Sequence, residues 1–270
     1  HERLTLALQE APGGLLDALA AAAGVQVPAG LDGWHLDATV EGPRSALTLN
    51  ATLAAGPLQA TAEGVFDLES GSATGLRLSA DIPAMTLAPG DSQGIAWRRM
   101  GVKADLTGPF LAPQGNARLE LDGLSVGGVT LDRLTATVEG GLARLRFDAE
   151  LDGLRAPGRL PEAAATVPLR VAGELTPDDP ALPFRLSVRH PLLDLAAEGG
   201  VTARSAQATL ILPDLAALAA PNGVDLAGSA RFDLKGVADG RPQLEATGEL
   251  TLTRAPGPRP ELSPELIGGL

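Results

Sequence analysis

The sequence predicts an all-β protein, an elongated antiparallel sheet carrying two or three short helices. Three observations lead there: runs of strict period-two alternation, dense punctuation by Gly and Pro, and apolar content supplied by Leu, Ala and Val instead of aromatics. Alternation with one oily and one wet face marks antiparallel strands exposed on one side, because strands covered on both faces read as continuous apolar runs. A doubly wound α/β fold is disfavoured on that ground. The 33 Gly and 22 Pro among 270 residues suit many short strands joined by tight turns. Aromatics make up 3% and Tyr is absent, so aromatic anchors do not hold this core together. No Gly-X-Y period occurs, which excludes collagen.

In chain order, Leu15, Leu16 and Leu19 with an Ala-rich run to Ala23 predict a short helix ended by Gly24. A strand follows from Trp34 to Val40. Leu47, Leu49, Ala51 and Leu53 then alternate with Thr48, Asn50 and Thr52. Further copies are Ala117-Leu119-Leu121, Leu145-Phe147-Ala149-Leu151, Val167-Leu169-Val171, Phe184-Leu186-Val188 and Ala230-Phe232-Leu234, most with charged residues between. Glu41-Gly42-Pro43, Ala55-Gly56-Pro57, Glu139-Gly140-Gly141 and Gly199-Gly200 read as hairpin corners, where Gly supplies positive φ and Pro stops pairing. A second helix begins at Asp214 or the residue before it, carries Leu215 and Leu218, and stops at Pro221-Asn222-Gly223.

The two helices stand in matching contexts, each followed by a Gly-Val step and a strand, and a truncated third copy begins at Leu262-Ser263-Pro264-Glu265-Leu266. Quasi-repeat units thus start near residues 14, 212 and 262, and residues 1–270 read as one continuous segment. The Pro-rich stretch 154–183 is the one candidate boundary. It reads as a loop-rich interruption within one sheet, since alternation resumes at Val167. The start inside a strand-like pattern at His1-Glu2-Arg3 and the stop at Gly268-Gly269-Leu270 read as marks of a piece of a longer protein. The longest apolar run, Ala18 to Val25, is too short to span a bilayer, and no signal peptide is read.

A net charge of −12 and a pI near 4.7 argue against nucleic acid as a partner. The absence of Cys removes disulfides, thiol catalysis and thiolate metal sites, and is compatible with an oxidising periplasm. His1, His35 and His190 are too few and too scattered for a His-rich metal site or a triad. His35, with Asp37 and Thr39, reads as a solvated strand face. Asp178-Asp179 between Pro177 and Pro180 reads as a hydrated turn. Gly71-Ser72-Ala73-Thr74-Gly75 lacks the Lys and the following helix of a phosphate cradle. Trp97-Arg98-Arg99 reads as a rim or an edge-strand charge more readily than as a lipid headgroup site. No acid, base and nucleophile converge, so the chain is expected not to be an enzyme, and no cofactor site is read.

The unit Leu212-Pro213-Asp214-Leu215-Ala216-Ala217-Leu218-Ala219, followed by Leu226-Ala227-Gly228-Ser229-Ala230-Arg231-Phe232-Asp233-Leu234, resembles the TamB and AsmA-like family of GC-rich bacteria. So does Leu106-Thr107-Gly108-Pro109-Phe110-Leu111-Ala112-Pro113 with the following Leu119-Glu120-Leu121-Asp122-Gly123-Leu124. These motifs are degenerate, and the likeness covers the chain in style. The resemblance implies a long sheet curled into a trough with an apolar interior, a β-taco or repeating β-groove. It implies a periplasmic location within an inner-membrane-anchored protein of a Gram-negative bacterium. It also implies an outer-membrane partner of the Omp85 class, and roles in outer-membrane protein assembly and glycerophospholipid transport. The anchor and the family's partner-binding region match nothing here.

Periodicity is satisfied equally by an apolar stripe sealed under a second sheet and by one left open. An open trough of this length exceeds the apolar patch a monomer usually exposes, and so calls for a ligand. Acyl chains of phospholipid meet that need at about 0.8 kcal/mol per buried methylene. The expected lining is Leu47, Leu49, Leu119, Leu121, Leu145, Phe147, Leu169, Val171, Leu186, Val188, Phe232 and Leu234. Two rival readings are a chaperone-like template pairing its edge with outer-membrane strands by β-augmentation, and a structural β-solenoid or adhesin stalk with a closed core.

Overall fold

The computed structural model describes residues 2–10, 33–87, 94–156, 160–220, 224–237 and 243–253. They form one open antiparallel sheet of fifteen strands in strict sequence order. The strands are β1 (Glu2–Glu10), β2 (Trp34–Gly42), β3 (Leu47–Ala55), β4 (Leu58–Asp67), β5 (Ser72–Leu87), β6 (Ile95–Pro109), β7 (Gln114–Val126) and β8 (Val129–Gly141). They continue with β9 (Arg144–Asp152), β10 (Leu169–Leu175), β11 (Pro183–His190), β12 (Leu193–Gly200), β13 (Ser205–Leu212), β14 (Ala227–Val237) and β15 (Gln243–Thr253). Two short helices punctuate the sheet, α1 (Ala163–Thr166) and α2 (Leu215–Ala219).

Each predicted run of alternation lies in a strand, except that Val167 caps α1 and precedes β10, which begins at Leu169, and the corners turn where expected. The Ala46 N–H donates to the Pro43 carbonyl at 2.8 Å between β2 and β3. Gly56 at φ +54° and Pro57 form a two-residue link between β3 and β4. Gly140-Gly141 and Gly199-Gly200 lie at the ends of β8 and β12, with the turns just after them. α2 begins as predicted: the Asp214 carboxylate accepts from the Ala217 N–H at 3.1 Å, satisfying one of the donors a helix start leaves unpaired. The predicted helices at 15–23 and 262–266 lie outside the described residues. α1 was not predicted; it occupies the Pro-rich stretch, which the sheet bridges without a break because β9 and β10 pair directly.

The sheet is one layer. Among the described residues no side chain is less than 2% exposed. Yet the two faces differ, with residues on the apolar face mostly half-buried and those on the other mostly exposed. No second sheet covers the apolar face among the described residues, so the cover comes from the sheet curling toward that side.

The densest packing sits at one end of four central strands. Met85, Trp97 and Leu121 are buried together, with Ile82, Ile95, Met100, Leu124 and Leu134 against them. Here the alternation slips: inward residues fall three apart at Ile82/Met85, Trp97/Met100, Leu121/Leu124 and Leu131/Leu134. Gly123 marks the slip in β7. Its φ of +66° suits only glycine at low cost, and a Cβ there would collide with the Arg98 side chain. The resulting bend turns both sets of side chains to one side. It also takes Trp97 inward while Arg99 pairs with Asp81 at 2.7 Å, so Trp97-Arg98-Arg99 lies on an internal strand and not on an edge.

Candidate functional site

Register, more than any single side chain, builds the candidate site. One row crosses the sheet through directly opposed residues: Leu6, Ala38, Ala51, Ala62, Leu78, Ala104, Ala117, Val138, Phe147, Gly173, Leu186, Ala197, Ala208, Leu234 and Ala246. The row beside it reads Leu8, Leu36, Leu53, Ala60, Ala80, Val102, Leu119, Ala136, Ala149, Val171, Val188, Leu195, Leu210, Phe232 and Gly248. Neither contains a polar side chain over fifteen strands. Together they make one continuous apolar lining running across the strands.

All twelve predicted lining residues fall on this face. Phe147, Leu186 and Leu234 are in the first row, and Leu119, Val171, Val188 and Phe232 in the second. Leu49 and Leu145 belong to a third, glycine-rich row. Leu121 and Leu169 belong to a fourth that runs Ile82, Met100, Leu121, Leu134, Leu151, Leu169. Leu47 lies at a ladder end opposite Phe66. Eleven are half-buried; Leu121, at 6% exposure, belongs to the Trp97 cluster and offers little surface to a ligand. Sequence reasoning missed small members such as Ala104 and Ala208, because Ala gives weak contrast against Thr and Ser in an alternating pattern.

Three of the lining phenylalanines lie over glycines directly opposite. A Cβ on Gly173 would collide with the Phe147 ring, one on Gly199 would stand 2.9 Å from Phe184, and one on Gly248 would stand 2.5 Å from Phe232. Aromatic cover over glycine steadies a strand that glycine alone would weaken.

The opposite face is a ladder of charge. One row reads Thr5, Thr39, Asn50, Glu63, Arg77, Asp105, Asn116, Glu139, Arg146, Glu174, Arg185, Glu198, Gln207, Lys235 and Glu245. Ion pairs join opposed partners at Arg77–Asp105 (3.6 Å), Arg170–Glu150 (3.2 Å) and Arg185–Glu198 (3.7 Å). Each is exposed and contributes little energy, but together they penalise slippage by one residue. Arg144 donates to Glu174, and this hydrogen bond first, then the nearby guanidinium charges, holds the Glu174 carboxyl below its ordinary range. Asp233 is lowered chiefly by the Thr209 hydroxyl, at 2.7 Å.

A furrow of about 780 Å³ over β9 to β14 is lined by residues of both rows, Phe147, Leu186 and Leu234 of the apolar row among them. Its long walls include Arg146, Glu174, Arg185, Glu198 and Lys235, and the small Ala172, Ser187, Ala196 and Thr209 form its floor. Arg146 and Arg185 pair with Glu174 and Glu198, as expected of a tall row beside a short one on a solvated face. His35 and Asp37 pair at 2.6 Å on the same face, both exposed. His190 serves a turn, accepting from the Leu192 N–H at 3.1 Å. Among the described residues no group of three or more His, Asp or Glu is placed to hold a metal ion, and no helix is long and apolar enough to cross a membrane. No protein family, characterised protein or solved structure matches the chain.

Proposed function

We propose that this chain is a non-enzymatic scaffold whose lining shelters the acyl chains of phospholipid between the inner and outer membranes of a Gram-negative cell. In this reading it is a periplasmic segment of the TamB and AsmA-like kind, contributing to outer-membrane biogenesis. An inner-membrane anchor and an Omp85-class barrel would complete its path. The observation that carries the reading is the pair of apolar rows, unbroken over fifteen strands and only half covered. Such a surface loses free energy in water and gains it against hydrocarbon. Six methylenes laid along the rows contribute about 5 kcal/mol, enough to offset the ordering of one acyl chain. No headgroup code is needed, and the rows carry none. A stalk with a filled core fits less well, since no described side chain is fully buried.

The test exploits neighbouring residues on opposite faces. Photo-reactive amino acids at Leu186 and Phe232 are expected to yield phospholipid adducts in cells, and those at Ser187 and Asp233, one residue away, none. Equal labelling of both sets, or none at either, would remove the proposal.

A further inference from the structure

One polar atom on the apolar face lacks a partner. Among the described residues, the indole Nε1 of Trp97 is the buried side-chain nitrogen or oxygen with no hydrogen-bond acceptor, and the residue as a whole is only 9% exposed. Buried indole N–H groups ordinarily find an acceptor, because a donor taken from water and given nothing in exchange destabilises the fold. The neighbours of Trp97 cannot supply one. They are Met85 and Leu121, with Ile95, Met100 and Leu124 against them, and a thioether is the best acceptor any of these side chains offers.

The place of this donor is informative. Trp97 lies near the start of β6, directly opposite Met85, one step beyond the row that runs through Ile82, Met100 and Leu121. It therefore stands where the lining meets the rim of the sheet. A charged oxygen suits the spot badly, since a phosphate or carboxylate removed from water needs several donors or a countercharge. The adjacent Arg98 and Arg99 are exposed on the other face, where Arg99 is held by Asp81. A neutral carbonyl oxygen needs one donor, and one is present.

We propose that the Trp97 indole N–H is a polar anchor at the edge of the lining, donating to the ester carbonyl oxygen at the head of a bound acyl chain. The inference rests on the reading of the lining as an acyl-chain surface and adds where along it the head of the chain is held. The cover over the indole is built to yield. Met85 and Met100 are the only two methionines of the chain, and both pack in this cluster. Their unbranched side chains repack at low cost, so an oxygen gains access without displacement of the strands.

Two soluble lipids of equal chain length test the anchor. Dihexanoyl phosphatidylcholine carries ester carbonyls, and its dihexyl ether counterpart carries none. Titration calorimetry is expected to show both binding to the unaltered chain, the ester about tenfold more tightly. Trp97→Phe should bring the ester down to the affinity of the ether and leave the ether unchanged. In the unaltered chain with isotope-labelled tryptophan, the Trp97 indole N–H resonance, assigned by comparison with Trp34→Phe, should move downfield with the ester lipid and hold its position with the ether. That measurement involves no change at Trp97, so it is decisive even where Trp97→Phe does not fold. Equal affinity for the two lipids, an ester preference that survives Trp97→Phe, or an indole resonance unmoved by the ester lipid would each overturn the anchor and leave the acyl-chain lining standing. Binding of neither lipid would overturn the lining and the anchor together.

Discussion

At the scale of single residues, glycine and phenylalanine share at three points of the sheet a space sized for one side chain. Gly173 lies under Phe147 and close to the Arg185 carbonyl. Gly173→Ala is therefore expected to cost about 1–3 kcal/mol in urea unfolding, through forced displacement of the ring. Phe147→Leu should recover part of that loss in the double variant. The charged face gives a different signature. Glu174, with an ordinary value of 4.5, and Asp67, Asp132 and Asp233, each with 3.8, are all held lower in the folded state, chiefly by hydrogen bonds. A carboxyl lowered on folding stabilises the fold above its unfolded value and loses that contribution as pH falls through the folded one. The melting temperature should thus be flat from pH 8 to 6 on account of these groups and decline below about pH 4.5. Replacing Arg144 by Met should reduce the part of that slope due to Glu174.

At the scale of elements, how well a strand could be read depended on contrast between its faces. β3, β9 and β14 alternate large apolar residues with Thr, Asn, Asp or Arg, and their spans were evident. β5 and β6, at 16 and 15 residues the longest strands, were not singled out. Gly75 interrupts one, the slip at Trp97 and Met100 breaks the period of the other, and Pro83 argues against a central strand. Pro83 fits because β4 stops pairing at Asp81, so β5 at that point is hydrogen-bonded to β6 alone and needs no second donor. The candidate lining was legible for the same reason as the strands, its large members being the alternating ones. Its completeness was not, because lateral rows depend on register, and register is set jointly by turns such as Gly127-Gly128, both at positive φ, and by charge pairs on the other face. A strand held by one neighbour only should be dispensable. Deleting residues 1–10 is expected to leave the circular dichroism per residue and the melting midpoint nearly unchanged, whereas deleting 183–200, which carry β11 and β12, should abolish the cooperative transition.

At the scale of the whole molecule, the fifteen strands follow one another without a crossover, and among the described residues no side chain is fully buried. Each β-strand is secured by the one before and the one after, an arrangement close to that of repeat proteins in which stability is a sum of local units and neighbour contacts. This order has a mechanical meaning. Tension applied between the two ends acts on the last ladder of hydrogen bonds crosswise, opening them one at a time, where a sheet with distant strands paired would have to shear many at once. A sheet built this way yields more readily to peeling from an outer strand than to shear along its ladders, so a load is best borne along the strands and not across them.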